Sequence, residues 1–327
     1  MLRRDIGLMS LRLGVFALSC RIMKTLLEAI RPTTFIEPQK LSDYLGLDIT
    51  IASETFQHTG SFKFRAAYNL ALNVENDEIL TASSGNFGQA LAYACNLVGK
   101  KCTVVMPVTS AQVKIGAVRE YGATVDLVDT RKVSRNDRVA QLAAEMPDAY
   151  FASPYDDQFV IDGNSTLGDE ISDKNFDVVV VPIGGGGLIS GIITSFCRNG
   201  KTAKVIGAEP LIGNDAARSI KAGEVVANES EPMTIADGAR TISVGKLNWP
   251  IIEKGVKEII EVSDEKIKEA VLLLFALANL KSEPTGALSL GAILERADGF
   301  GGKRVCLIVS GGNVDAEVYR NLTSDKL

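Results

Sequence analysis

From about residue 78 onward, short β-branched runs alternate with segments of helical period, and this alternation constrains the fold more than any other feature. EILTAS precedes GQALAYACNLVG, CTVVMP precedes AQVKIGAVREYG, and TVDLVD precedes RVAQLAAEM. A second series sets DVVVVPI before LISGIITSFCR and AKVIGAE before DAARSIKAG, then ends with RVCLIVS after helical stretches at about 263–280 and 286–296. Strands joined by helical crossovers pair in parallel. Val178 to Ile183 contains no polar residue, as expected of a strand covered on both faces. The pattern predicts an α/β protein with two open parallel-sheet domains. A small α/β domain at 74–151 interrupts a larger one made of 1–73 and 152–327. With 327 residues, the chain is long enough for two such cores.

Composition removes several function classes. The 35 Lys and Arg against 40 Asp and Glu leave a net charge of −5, which offers nucleic acid no electrostatic footprint. The single histidine, His58, rules against histidine-based hydrolase triads and multi-histidine metal sites, which need histidine in company. His58 itself reads as a loop residue. The five cysteines, Cys20, Cys95, Cys102, Cys197 and Cys306, are widely spaced, form no CxxC pair, and are expected to be reduced core residues of a cytoplasmic protein. Residues 1–23 are basic and apolar; they read either as a signal peptide ending near Ser19–Cys20 or as a disordered extension ahead of Met23. No other stretch approaches the ~20 apolar residues of a membrane span. Neither membrane nor nucleic acid is expected as a partner.

Four segments carry chemistry. Gly184 to Gly187 lie between a buried strand and a helix, where successive amides can converge on an anion, most often phosphate. A strand-to-helix turn alone would need one glycine, not four. Dinucleotide spacing fails, because glycine would be required at Ile189 or Ser190, and the Walker pattern before Lys201 would require it at Ser195. In SETFQHTGSFKFRAA, Lys63 follows a Thr-Gly-Ser turn in an uncharged stretch, a setting that lowers an amine's pKa and suits Schiff-base formation; read alone, a surface helix lysine is the better reading. TASSGNFGQA places Ser83, Ser84 and Asn86 at a helix start, able to hold a carboxylate or merely to cap the helix. Ser310 ends the last parallel strand, on the side where open α/β sheets bind ligands.

TGSFKFR, SSGNFGQ, GGGGL and SGGNVD, in that order and together with TIADG and SEPTGA, make residues 31–315 resemble the serine/threonine dehydratase and serine racemase branch of the fold type II enzymes dependent on pyridoxal-5′-phosphate (PLP). The resemblance implies that Lys63 holds PLP as a Schiff base, that Gly184, Gly185, Gly186 and Gly187 take its phosphate, that Asn86 meets its phenolic oxygen, and that Ser310 meets its pyridine nitrogen. A serine there makes the ring a weaker electron sink than an aspartate would, which favours β-elimination over transamination. Ser83, Ser84 and Asn86 would grip the substrate carboxylate, with Ser84 placed to move a proton opposite Lys63. Mg²⁺ or another divalent ion would sit on Glu209, the Gly213 carbonyl and Asp215, though two solvated acids beside a loop would look the same. The implied activity is dehydration and deamination of a small β-hydroxy amino acid, such as threonine or serine, to a 2-oxo acid by a homodimer. Racemisation, β-replacement and PLP binding without turnover are the alternatives. Departures from the family pattern, Phe87 for histidine, Ala66 for glycine, Ala52 for lysine and Asn164 for glutamine, weigh against plain threonine or serine. Arg135 matches a position near the pocket mouth in racemase-like relatives. It either receives a second carboxylate, as in 3-hydroxyaspartate, or is a solvated helix charge, the reading that the sequence favours.

Overall fold

A computed structural model describes residues 25–110 and 112–324. The expectations for residues 1–23 and for Cys20 fall outside that range. Ten strands form two sheets: β1 Thr34–Ile36, β2 Asp48–Ser53, β3 Glu78–Ala82, β4 Lys101–Pro107, β5 Thr124–Val128, β6 Tyr150–Phe151, β7 Val178–Pro182, β8 Lys204–Pro210, β9 Glu258–Val262 and β10 Arg304–Val309. The larger sheet runs β1-β2-β10-β7-β8-β9 and the smaller β5-β4-β3-β6. Neighbours pair in parallel except β1, which lies antiparallel against β2 at the sheet edge.

Period-two alternation divides the large sheet between two cores. Val178, Val180, Leu307 and Val309 face the helices Asp264–Ala278 and Pro284–Glu295, while Val179, Val181, Cys306 and Ile308 face the helices Gln158–Ser172 and Gly187–Arg198. Both faces are therefore dry, and each fully buried Val or Ile contributes about 1.5–3 kcal/mol. Edge strand β9 is protected by charge: Glu258 pairs with Lys204 at 3.1 Å and with Arg296. The small sheet packs Ile79, Val104 and Met106 against the helices Asn86–Val98 and Lys63–Asn73, and Leu80, Val105 and Val128 against the helix Arg135–Glu145.

Strand β2 lies inside the sheet between β1 and β10, its Ile49 and Ile51 buried between the sheet and its covering helices. It lies before the alternation that begins at residue 78, so the sequence pattern does not pick it out. The consequence for function is at the carboxyl ends of the strands. There β10 delivers Ser310, β7 leads into Gly184, β8 ends near Glu209, and β3 leads into Ser83.

Candidate active site

Lys63 opens its helix just beyond a constrained turn. Thr59 has φ 58°, left-handed for a β-branched residue, and Gly60 follows at φ 75°. The turn is held from the SGGN segment: Gly312 N donates to Gly60 O at 3.0 Å, Asn313 Nδ2 to Thr59 O at 2.7 Å, and Phe62 N to Ser310 O at 3.0 Å. Below it lies a buried ion cluster. Arg65 is fully buried and donates from Nε and Nη2 to Glu54 at 2.8 and 2.9 Å, from Nη1 to Glu170 at 2.7 Å, and onward to Thr33, Thr166 and the Arg31 carbonyl. With every guanidinium hydrogen engaged, the first turn of the Lys63 helix is tied to three separate chain segments.

The Lys63 amine donates to the Pro154 carbonyl at 2.7 Å and lies 5.0 Å from the Phe62 ring and 5.7 Å from the Phe87 ring. Burial lowers its pKa from 10.5 to about 8, against the opposing pull of Glu283. Phe87, buried at 1% exposure, thus contributes to the desolvation that keeps this amine deprotonatable near neutral pH.

Pro154 also links the amine to the glycine loop. A Cβ on Gly185 would lie 2.2 Å from the ring of Tyr155, and one on Gly187 2.9 Å from the Tyr155 carbonyl. Gly186 has φ +94°. Glycine is thus required here both for close approach and for conformation. Among the described residues, no protein acceptor takes the amides of Gly184, Gly185, Gly186, Gly187 or Leu188. They form an unpartnered donor set at the positive end of the helix Gly187–Arg198.

At the small-sheet side, Ser83 rather than Ser84 or Asn86 caps the next helix, its hydroxyl accepting from Gly88 N at 3.1 Å and Gly85 N at 3.4 Å. Ser84 makes no side-chain hydrogen bond among the described residues and is half-buried. Asn86 donates to Glu283 Oε1 at 2.8 Å and accepts from Asn313 at 2.9 Å, which leaves one amide hydrogen for a ligand. Sequence reasoning missed Glu283. Buried at 4% exposure, it is raised from 4.5 to about 8 by burial first and by Asp237 second. Its signal was present in SEPTGA, an acid immediately before a proline that starts a helix, but nothing local connects it to Asn86. His58 packs edge-on against Phe64, with ring centroids 4.8 Å apart.

Unpartnered amides at a helix start, a desolvated lysine beside them and an amide with a free hydrogen fit a phosphorylated aldehyde cofactor. Residues 26–311 match the family model of the pyridoxal-phosphate dependent enzymes. The chain belongs to that family. It is 37% identical over 300 residues to the beta-hydroxyaspartate dehydratase of Paracoccus denitrificans (strain Pd 1222), covering 89% of this chain and 94% of that protein. It is 36% identical over 295 residues to a serine racemase of Dictyostelium discoideum, covering 88% and 90%. The structure is similar to that of a T.th. threonine deaminase, with TM-score 0.83, 36% identity, and 89% and 95% of the two chains covered. PLP dependence follows from the family. Among the described residues, no helix is long and apolar enough to cross a membrane.

In this PLP enzyme the acids at the end of β8 are not solvated. Glu209 and Asp215 are each 1% exposed. Glu209 accepts from Ala216 N at 2.8 Å and Ala217 N at 2.9 Å, while Asp215 Oδ1 accepts from Asn228 at 2.9 Å and Oδ2 is buried without a partner. Burial, then the charge of Asp215, pushes Glu209 well above the usual carboxylate range, and burial raises Asp215 to about 6. Two buried carboxyls with one orphaned oxygen form an all-oxygen donor set that fits a hard cation. Among the described residues no cluster of three His, Cys, Asp or Glu side chains forms such a site. A backbone carbonyl such as that of Gly213 would have to complete it.

Arg135 stands at the first position of its helix and donates from Nη2 to Glu231 Oε2 at 2.8 Å. Lys114 pairs with Asp237 at 3.2 Å. Both cations lie on the small-sheet side, and both acids lie on the 231–241 segment, where a Cβ on Gly184 would meet Ala239 and the Gly238 carbonyl at 3.1 Å. Of the remaining departures, Ala52 and Ala66 are fully buried, and Asn164 is buried with neither end of its amide partnered.

Proposed function

We propose that this chain eliminates water from a β-hydroxy amino acid to give a 2-oxo acid and ammonia, with 3-hydroxyaspartate as its preferred substrate. The observation that carries the substrate is Arg135. A cation at the first position of a helix works against the helix dipole, so helix stability gives no reason for it. Its guanidinium has only a partly exposed carboxylate to neutralise it, on the segment whose Gly238 and Ala239 approach Gly184. The relative acting on β-hydroxyaspartate supports the same reading. Serine and threonine, without a second carboxylate, would leave Arg135 unused.

The Gly184–Gly187 amides would hold the PLP phosphate, Lys63 its aldehyde carbon, Asn86 its phenolic oxygen and Ser310 its pyridine nitrogen. When bound, PLP supplies the electron sink that stabilises negative charge at the substrate α-carbon. Lys63 takes the α-proton, a role suited to an amine whose pKa lies near 8. Ser83, Ser84 and the backbone turn around Asn86 orient the α-carboxylate, and Arg135 takes the distal one in a bidentate pair. Ser84 is free to pass a proton toward the departing hydroxyl. Glu209, Gly213 and Asp215 would hold Mg²⁺ or a similar ion that fixes the end of β8. We assign residues 74–151 to a small domain, 1–73 and 152–327 to a large one, and the working assembly to a homodimer.

The test measures 2-oxo acid release and substrate enantiomers from L-threo-3-hydroxyaspartate, L-serine, L-threonine and phenylserine. The expected outcome is highest kcat/KM for hydroxyaspartate, with Arg135→Ala raising its KM. Equal turnover of serine and hydroxyaspartate would refute the substrate. Conversion of L-serine mainly to D-serine would establish instead a racemase using Lys63 and Ser84, a reading favoured by the unengaged Ser84 hydroxyl and the serine racemase relative.

A further inference from the structure

The ion pair between Arg135 and Glu231 has an asymmetry that bears on substrate choice. Glu231 reaches the guanidinium through one contact, Nη2 to Oε2 at 2.8 Å, and no other side chain among the described residues bonds to Arg135. The pair is open to solvent, with side-chain exposures of 32% for Arg135 and 51% for Glu231. A guanidinium accepts a carboxylate best along one edge, through two parallel N–H bonds. Here that arrangement is not made, and a half-exposed carboxylate can return to water at little cost.

The backbone around Glu231 is anchored while its side chain is not. Pro232 is buried and packs against Gly213, where a Cβ would lie 2.8 Å from the Pro232 ring. Thr234 Oγ1 donates to Asp264 at 2.5 Å, and Ile235 N donates to the same carboxylate at 3.1 Å. Lys114 separately holds Asp237 at 3.2 Å. Releasing Glu231 therefore needs only a side-chain rotation and leaves the 232–241 segment over the glycine loop in place.

We propose that Glu231 is a built-in stand-in for the substrate's distal carboxylate, occupying Arg135 in the free enzyme until a dicarboxylate displaces it. The inference rests on the assignment of Arg135 as receptor of that carboxylate and adds an exchange step to it. A ligand with a neutral side chain has nothing to trade for Glu231 and leaves the pair closed. A substrate carboxylate that makes two bonds replaces a carboxylate that makes one. Arg135 then supplies the preference for a dicarboxylate, while Glu231 tempers how tightly that ligand is held and keeps Arg135 from collecting small anions between turnovers.

The experiment measures the dissociation constant of succinate, a non-reacting four-carbon dicarboxylate, by calorimetry with the PLP-loaded enzyme. The parent is compared with Glu231→Gln, Glu231→Asp, Arg135→Ala and the Arg135→Ala/Glu231→Gln pair. Removing the competitor should tighten succinate about two- to fivefold, the worth of an exposed ion pair. The KM of hydroxyaspartate should fall in parallel, and its kcat/KM relative to L-serine should rise. Glu231→Asp should restore most of the parent's weaker binding. In the Arg135→Ala background, Glu231→Gln should change nothing, which a general effect on folding would not produce. If Arg135→Ala weakens succinate while Glu231→Gln leaves it unchanged, the stand-in is refuted and the substrate assignment survives. If Arg135→Ala affects neither succinate nor hydroxyaspartate, both fail.

Discussion

The lowered pKa of Lys63 can be tested without cofactor or substrate. The perturbation is pH, applied to cofactor-free protein, with Glu283→Gln as the companion variant. Burial holds the amine at about 8 rather than 10.5. It is then the free base above that pH and ammonium below it. At about pH 7.5 roughly one quarter of Lys63 is unprotonated, against roughly one part in a thousand for an ordinary lysine, a difference of about two-hundredfold. Trace acetylation across pH 6–11, read lysine by lysine by peptide mass spectrometry, reports that fraction directly. Lys63 should titrate near pH 8, well below the ordinary lysine value of 10.5. Glu283 attracts the ammonium form, so Glu283→Gln should shift the midpoint lower, with most of the difference above pH 8, where Glu283 is ionised. A Lys63 midpoint among the surface lysines, or an upward shift in Glu283→Gln, would refute the desolvation argument.

Glu54→Leu leaves the buried Arg65 guanidinium with Glu170 as its one carboxylate and should destabilise the fold by about 3–5 kcal/mol in urea unfolding, with much of the loss recovered when Arg65→Met is added; a single variant costing under about 1 kcal/mol would contradict the network. Mg²⁺ should raise the melting temperature relative to chelator, by an amount corresponding to about 2.7 kcal/mol at a hundred times Kd, and Glu209→Ala should abolish the difference. Ser84→Ala should eliminate any racemisation while retaining keto-acid formation, reduced about 10²-fold where its hydroxyl serves in proton transfer. Loss of both activities together would mean that Ser84 serves the first proton abstraction.

What could be read from the sequence was local. Gly184 to Gly187, Ser83 to Asn86 and Ser310 each follow an apolar strand, and a strand end followed by glycine or serine is visible within a short window. The fold followed from the same alternation. Contacts between remote segments were invisible. Asn86 meets Glu283 across 197 residues and Lys63 meets Pro154 across 91, and no propensity or period encodes either meeting. The helix Gln158–Ser172 escaped notice because its composition is poor for a helix. Gly163 is there because a Cβ would lie 2.5 Å from the Arg65 carbonyl, and Gly168 because one would lie 2.6 Å from Ser195. Tertiary packing chose residues that local preference would reject. Strand β9 is hard to recognise because Glu258 and Glu261 occupy two of its five positions, on an edge where charge is protective.

The bond from Lys63 to Pro154 also defines a pivot. The chain leaves the large sheet for the small one through the helix that Lys63 begins, and returns from β6 through Ser153 and Pro154. The amine therefore ties the outgoing crossing to the returning one. Were one sheet to turn against the other, these two crossings would be the natural axle, and atoms on an axle travel least. Lys114 and Arg135 belong to helices outside both crossings and are joined to the 231–241 segment through side-chain ion pairs. Lys63 would therefore hold its place better than any group carried further from the two crossings.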